Sequence, residues 1–233
     1  MKRGIVIDRF VAAILFGTFL GTSAMAQTPQ FVNTLMPEPA HLSVQAGGLE
    51  LTPQFTAVED HFRNERLDGA VARTLVRLKN ETGLQMATAP ATGNATLTVT
   101  VDGAGEAIQS DGEDESYSLD VTAAGARLHA ATVVGAIRGL ATFYQLVQPN
   151  GSGFFVPAVS IQDSPRFRWR GLMIDSSRHF ITIDVIRRTL DGMAAVKMNV
   201  FHWHISDDQG FRAESHVYPL LQGKGSEIGR AHV

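Results

Sequence analysis

Residues 200–211 read VFHWHISDDQGF, which sets His202 and His204 two positions apart and follows them with Asp207, Asp208 and Gln209. On an extended strand successive side chains alternate, so the two imidazoles share one face and Phe201, Trp203 and Ile205 take the other. Two chemistries use such a set. Histidines and carboxylates can ligate a metal ion that activates water, or they can line a pocket whose hydrogen bonds hold an uncharged polar molecule. A hydrolytic metal needs three protein ligands and an open position. His216 lies past the following loop, and nothing in its spacing recruits it as the third. The pattern therefore favours a pocket wall or a hydrogen-bonded structural histidine, with metal ligation as the alternative.

A second polar cluster, Asp175-Ser176-Ser177-Arg178-His179, precedes it. The elements around the two clusters decide whether they meet. Arg170 to Asp175 reads as a strand, with Leu172 and Ile174 on one side and Met173 and Asp175 on the other. Thr182 stands where a helix cap belongs and Asp184 suits the positive helix end. Ile183, Ile186, Leu190, Met193 and Lys197 then follow a helical stripe that Asn199 ends. Val200 to Ile205 is the next strand. Strand, helix and strand in this order make a βαβ unit with parallel strands. In such folds ligands collect at the carboxyl ends of the strands, where both clusters fall.

Upstream, from about Gln30 to Pro165, short strands alternate with helices. Leu42–Val44 and Leu49–Leu51 flank Gly47-Gly48, which reads as a hairpin turn. Residues 64–82 put Leu67, Val71, Leu75 and Leu78 on one helical face before a capping Gly83. Leu97–Val101 is a strand, Tyr117–Val121 and Arg127–Ala130 form a hairpin, and 132–147 carries a stripe of Val133, Ile137, Leu140, Tyr144 and Val147. The acidic stretch of Asp111, Glu113, Asp114 and Glu115 does not match a calcium loop and reads as a solvated tip. The expected class is an α+β domain, helices on one face of a mostly antiparallel sheet, joined at Asp163-Ser164-Pro165 to a parallel α/β segment.

Composition narrows the possibilities. The 233 residues are 44% hydrophobic and 18% charged, with a net charge of -3 and no cysteine. No basic run beyond Arg187-Arg188 suggests nucleic-acid binding, and thiolate catalysis or a cysteine zinc site is excluded. Lys2 and Arg3, an apolar run from Phe10 to Leu20, and Ala24-Met25-Ala26 form a secretory signal over residues 1–26 with cleavage before Gln27. About 11 apolar residues fall short of the roughly 20 that a membrane span needs. The expected location is therefore periplasmic or secreted, with no membrane attachment after cleavage. Ile228–Val233 lacks periodicity and reads as a non-native tail on a truncated gene.

Two long strings, RGLMIDSSRHF at 170–180 and KMNVFHWHISDDQGFR at 197–212, agree in order and spacing with one family. They resemble the opening of the catalytic barrel of family 20 glycoside hydrolases, the β-N-acetylhexosaminidases, and Ser116–Val147 resembles the α/β domain that precedes it. The resemblance implies residues 27–163 as that N-terminal domain and 164–227 as the start of a (β/α)8 TIM barrel. It implies an exo-acting enzyme that removes terminal N-acetylglucosamine or N-acetylgalactosamine from oligosaccharides or glycoconjugates, such as chitin fragments, with no cofactor and no metal. Arg178 matches the arginine that grips sugar hydroxyls, a task suited to its planar fork of donors. Asp207 matches the pocket aspartate that orients a histidine. Asp175 and His204 are expected as pocket wall.

Catalysis in that family uses the substrate's own acetamido oxygen as nucleophile, served by an adjacent Asp-Glu pair on the fourth barrel strand. Only 65 residues follow Arg168, whereas a closed barrel takes roughly 250. No catalytic residue is thus expected here, and the chain alone is expected to be inactive. Two other readings are a metal-dependent barrel hydrolase and a non-catalytic carbohydrate-binding module.

Overall fold

The computed structural model describes residues 31–151 and 153–227; the expected secretory leader and the 228–233 tail lie outside them. The chain runs β1 (His41–Leu51), β2 (Ala57–His61), α1 (Glu65–Thr82), β3 (Leu97–Gly103), β4 (Tyr117–Thr122), β5 (Gly125–Thr132), α2 (Val133–Gln145), β6 (Gln148–Asn150) and β7 (Gly153–Asp163). These strands form one sheet in the order β1-β7-β4-β5-β3-β2, with β6 also paired to β7. The β2–β3 and β3–β5 ladders are parallel and the others antiparallel. The sheet is therefore mixed, not simply antiparallel, because β2 reaches β3 through the crossover helix α1.

α1 forms where its stripe predicted. Asn64 caps it by accepting from the Leu67 N–H at 2.9 Å, and Gly83 closes it at φ 70. Leu67, Val71, Leu75 and Leu78 are buried against Leu97, Val99 and Leu128 of the sheet. Each such side chain contributes roughly 1.5–3 kcal/mol. α2 packs beside α1 and across the sheet, but its stripe is centred on Ala136, Leu140 and Phe143. Ile137, Tyr144 and Val147 of the predicted stripe are only partly buried at its margin. Both helices cover one face. The hairpin of β4 and β5 turns at Ala123-Ala124, as the sequence indicated.

Two local expectations fail. Gly47-Gly48 is not a hairpin turn: β1 runs straight through and shifts register there against β7. Gly47 has φ 83, and a Cβ on Gly48 would lie 2.5 Å from the Val156 carbonyl oxygen, so the pair makes a bulge under a crossing neighbour. The acidic stretch is not wholly solvated either. Glu113 and Glu115 are buried, 8% and 6% exposed. β7, which the sequence reading passed over, holds β1 along one edge and β6 and then β4 along the other.

After Pro165 come β8 (Gly171–Asp175), α3 (Ile183–Ala195), β9 (Val200–His204), β10 (Ser206–Asp207), β11 (Gly210–Phe211) and α4 (Pro219–Gly223). β8 and β9 are parallel and joined by α3, the predicted βαβ unit. Thr182 occupies the N-cap position of α3 without a side-chain capping bond. On α3 only Ile186 and Met193 of the predicted stripe are buried, and Ile183 and Leu190 stay 49% and 42% exposed. Lys197 lies beyond the helix, in a left-handed backbone at φ 60.

Candidate functional site

The carboxyl ends of β8 and β9 are in register, with Asp175 opposite His204 as their last pair. Beyond β8 the chain turns sharply. Asp175 Oδ1 accepts from the backbone N–H groups of Ser177 and Arg178, each at 3.0 Å. Such a turn through an aspartate's own side chain is the local chemistry that aspartate favours, and it swings Arg178 back over the strand ends. Beyond β9 the chain makes a tight β10–β11 hairpin in which Asp207 pairs with Gly210. Asp207 is the last residue of the first hairpin strand, and Asp208 stands in its turn.

The two loops are bolted together below the rim. The Ser177 hydroxyl donates to the Gly210 carbonyl at 2.6 Å. Trp203 Nε1 donates to Ser176 Oγ at 2.9 Å, and Ser176 and Ser177 are buried. Arg212 reaches across to the carbonyls of Ser176 (3.0 Å) and Ser177 (3.1 Å) and also to Ser226. Sequence reasoning assigned Arg212 no role; its place at the end of the second matching string was the available signal. Trp203, on the strand face opposite the histidines, spends its ring nitrogen on this staple.

At the rim, Arg178 is the hub. Its Nη1 donates to Asp175 Oδ2 at 2.7 Å, Nη2 to Asp207 Oδ2 at 2.5 Å, and Nε to Gln209 Oε1 at 3.2 Å. Asp207 Oδ2 also meets His204 Nε2 at 2.8 Å, and its Oδ1 accepts from the Asp208 N–H at 2.7 Å. All four residues singled out from the sequence, Asp175, Arg178, His204 and Asp207, thus form one connected set. The Asp208 N–H, the His204 ring and the Arg178 charge hold the Asp207 carboxyl down to about 2. The Arg178 backbone and side chain likewise depress Asp175. An ionised aspartate only accepts, so His204 carries hydrogen on Nε2 and, when neutral, presents Nδ1 as an acceptor.

This arrangement leaves donors free for neutral polar groups. A guanidinium has five N–H donors; three of those on Arg178 are engaged, which leaves two for hydroxyls of a ligand. Arg178 is 55% exposed at the side chain, so a ligand can reach it. His202 projects on the same strand face with its ring centre 6.1 Å from that of His204. Among the described residues no three His, Asp or Glu side chains are placed to share a metal ion.

A mixed α+β domain followed by two parallel strands with a polar rim at their carboxyl ends is the arrangement with which α/β barrels place a ligand site. The model of glycosyl hydrolase family 20, domain 2, matches residues 33–164, and that of its catalytic domain matches 167–232. The chain belongs to glycosyl hydrolase family 20. It is similar to the beta-hexosaminidase subunit beta of Mus musculus, 48% identical over 131 residues that cover 56% of this chain and 24% of the relative. Among solved structures it resembles the Flavobacterium johnsoniae chitobiase, with 42% identity, a TM-score of 0.72, and coverage of 80% of this chain and 29% of that one. A mutant Streptomyces plicatus beta-hexosaminidase in complex with the product GlcNAc is 29% identical, with a TM-score of 0.69 and coverage of 84% and 39%. The chain spans about a quarter of the length of the curated relatives it matches.

Proposed function

We propose that this chain is the opening part of an exo-acting β-N-acetylhexosaminidase and supplies one wall of its sugar pocket. The observation that carries the reading is the Arg178–Asp207–His204 set at the carboxyl ends of two parallel strands. In this reading the two uncommitted N–H groups of Arg178 hold hydroxyls of the terminal sugar on the side away from the bond to be cut. Asp207 fixes the orientation of both Arg178 and His204. Asp175 sets the guanidinium plane from the other side.

Hydrolysis proceeds by substrate assistance: the acetamido oxygen of the sugar attacks the anomeric carbon, and an Asp-Glu pair orients the acetamido group and protonates the leaving oxygen. No adjacent Asp-Glu pair follows Asp163, so that step belongs to the whole protein and the chain alone is inactive. The natural substrates are oligosaccharides or glycoconjugates ending in N-acetylglucosamine or N-acetylgalactosamine, chitin fragments among them. The leader-like residues 2–26 support work outside the cytoplasm.

The test uses the whole protein and an aryl N-acetyl-β-glucosaminide. Arg178→Ala should lower kcat/KM by about ten- to a hundredfold, the size of a lost charge-assisted hydrogen bond. Hydrolysis unchanged by the substitution would remove Arg178 from the pocket. A protein inert toward N-acetylated glycosides would end the reading altogether.

A further inference from the structure

The α3–β9 turn is gripped by the first domain at every second residue. The Ala195 carbonyl accepts from Gln145 Nε2 at 2.6 Å. Lys197 Nζ, on a buried side chain, donates to the Tyr117 hydroxyl at 2.9 Å and to Asp163 Oδ2 at 3.2 Å. Asn199 Nδ2 donates to Glu115 Oε1 at 3.3 Å and to the Arg168 carbonyl at 2.7 Å. Gln145, Tyr117, Asp163 and Glu115 all belong to the first domain or its last strand.

The same carboxylate reaches the start of β8. Glu115 Oε2 accepts from Arg138 Nε and from Arg170 Nη2, each at 2.5 Å. Arg170 in turn donates from Nε to the Lys197 carbonyl at 2.8 Å and from its backbone to Asn199 Oδ1 at 2.9 Å. One buried side chain of the first domain thereby fixes the residues that immediately precede both parallel strands.

Why a clamp is needed follows from the strands themselves. Backbone ladder bonds form equally well in any register; a buried apolar face is what ordinarily selects one. Within this chain, which spans about a quarter of its relatives' length, Gly171, Leu172, Met173, His202 and Trp203 are exposed and β8 and β9 have only each other as ladder partners among the described residues, so the contacts with the first domain are the ones present that can select a register. The left-handed Lys197 at φ 60 adds a conformation that a non-glycine residue keeps only when its surroundings impose it. Five rungs further on, that register decides whether Asp175 faces His204.

We propose that the first domain acts as a register clamp for the pocket, with Glu115 and Lys197 as positioning residues that align Arg178 and Asp207 from the opposite end of β8 and β9. The role assigned to the pocket rests on the function proposed above; the clamp itself does not.

Hydrogen exchange on this chain and kinetics on the whole protein test the two separately. Lys197→Met should speed exchange of amides in 171–175, 200–204 and 206–211 by about tenfold and leave β3, β4 and β5 unchanged. Glu115→Gln should act in the same direction, and Lys197→Arg should restore most of the protection. In the whole protein both disrupting variants should raise KM for the aryl glycoside by more than they lower kcat, since the sugar wall is displaced and the proton donor is not. Faster exchange confined to 195–199, or a KM that does not move, would overturn the clamp. If Lys197→Met unfolds the chain, Glu115→Gln carries the same test alone. Failure of the function reading looks different: the unsubstituted whole protein does not cleave N-acetylglycosides, and the exchange result stands.

Discussion

Asp207 is the residue on which the rim turns. It accepts from a guanidinium, an imidazole and a backbone N–H at once, whereas Asp208 makes no side-chain hydrogen bond to Arg178 or His204. An amide in its place would aim its NH2 either at Arg178 and His204 or at the Asp208 N–H, leaving a donor unpaired, and would remove the charge that pairs with Arg178. Asp207→Asn should therefore lower kcat/KM of the whole protein by about tenfold or more, whereas Asp208→Asn should change it by less than about twofold. Equal effects would mean that both aspartates act only through net charge. Because its folded-state carboxyl titrates near about 2, below its unfolded value, the ion pairs of Asp207 persist across the acid range and break as pH falls through that value.

At the scale of elements, the β2–α1 junction has a pH response of the opposite sign. β2 puts Glu59 on the core face beside Ala57, where its side chain is fully buried. One oxygen pairs with Arg63 at 2.9 Å and the other has no partner. Burial, reinforced by the Asp68 carboxylate within hydrogen-bonding reach, raises Glu59 to about 7. Protonation of Glu59 removes the cost of a buried charge whose second oxygen has no partner. The folded pKa lies above the unfolded one, so this contribution is complete below the unfolded pKa and is lost as pH rises through about 7. Thermal unfolding should show a Tm several degrees lower at about pH 8.5 than at about pH 6, and Glu59→Gln should remove that slope. A slope that survives the substitution would place its origin elsewhere.

Across the whole molecule the two parts differ in how they shield apolar surface. The first domain has a two-layer core in which β3, β4 and the inner stripes of α1 and α2 are sealed. The second part leaves Phe167, Trp169, Met173, Phe180, Val217, Tyr218 and Leu220 more than half exposed. An unshielded strand pair with that much apolar surface favours association. Sedimentation of this chain should show oligomers growing with concentration, and a monomer at all concentrations would contradict the burial pattern.

Features set by neighbours in the chain were legible in the sequence: the α1 stripe and its Gly83 cap, the β4–β5 hairpin, the β8–α3–β9 unit and the four rim residues. Each depends on periodicity or on contacts a few residues away, or, for the rim, on two long strings whose spacing places strand ends side by side. What failed depended on distant partners. Gly47-Gly48 spells a turn, yet a strand more than a hundred residues later makes it a bulge. Glu115 reads as a solvated charge at a loop tip and Lys197 as the last member of a helical stripe, yet both are buried in ion pairs that cross between the two parts of the chain. A sequence states which side chains can satisfy a buried charge; only the packing of one domain on the next decides that they do.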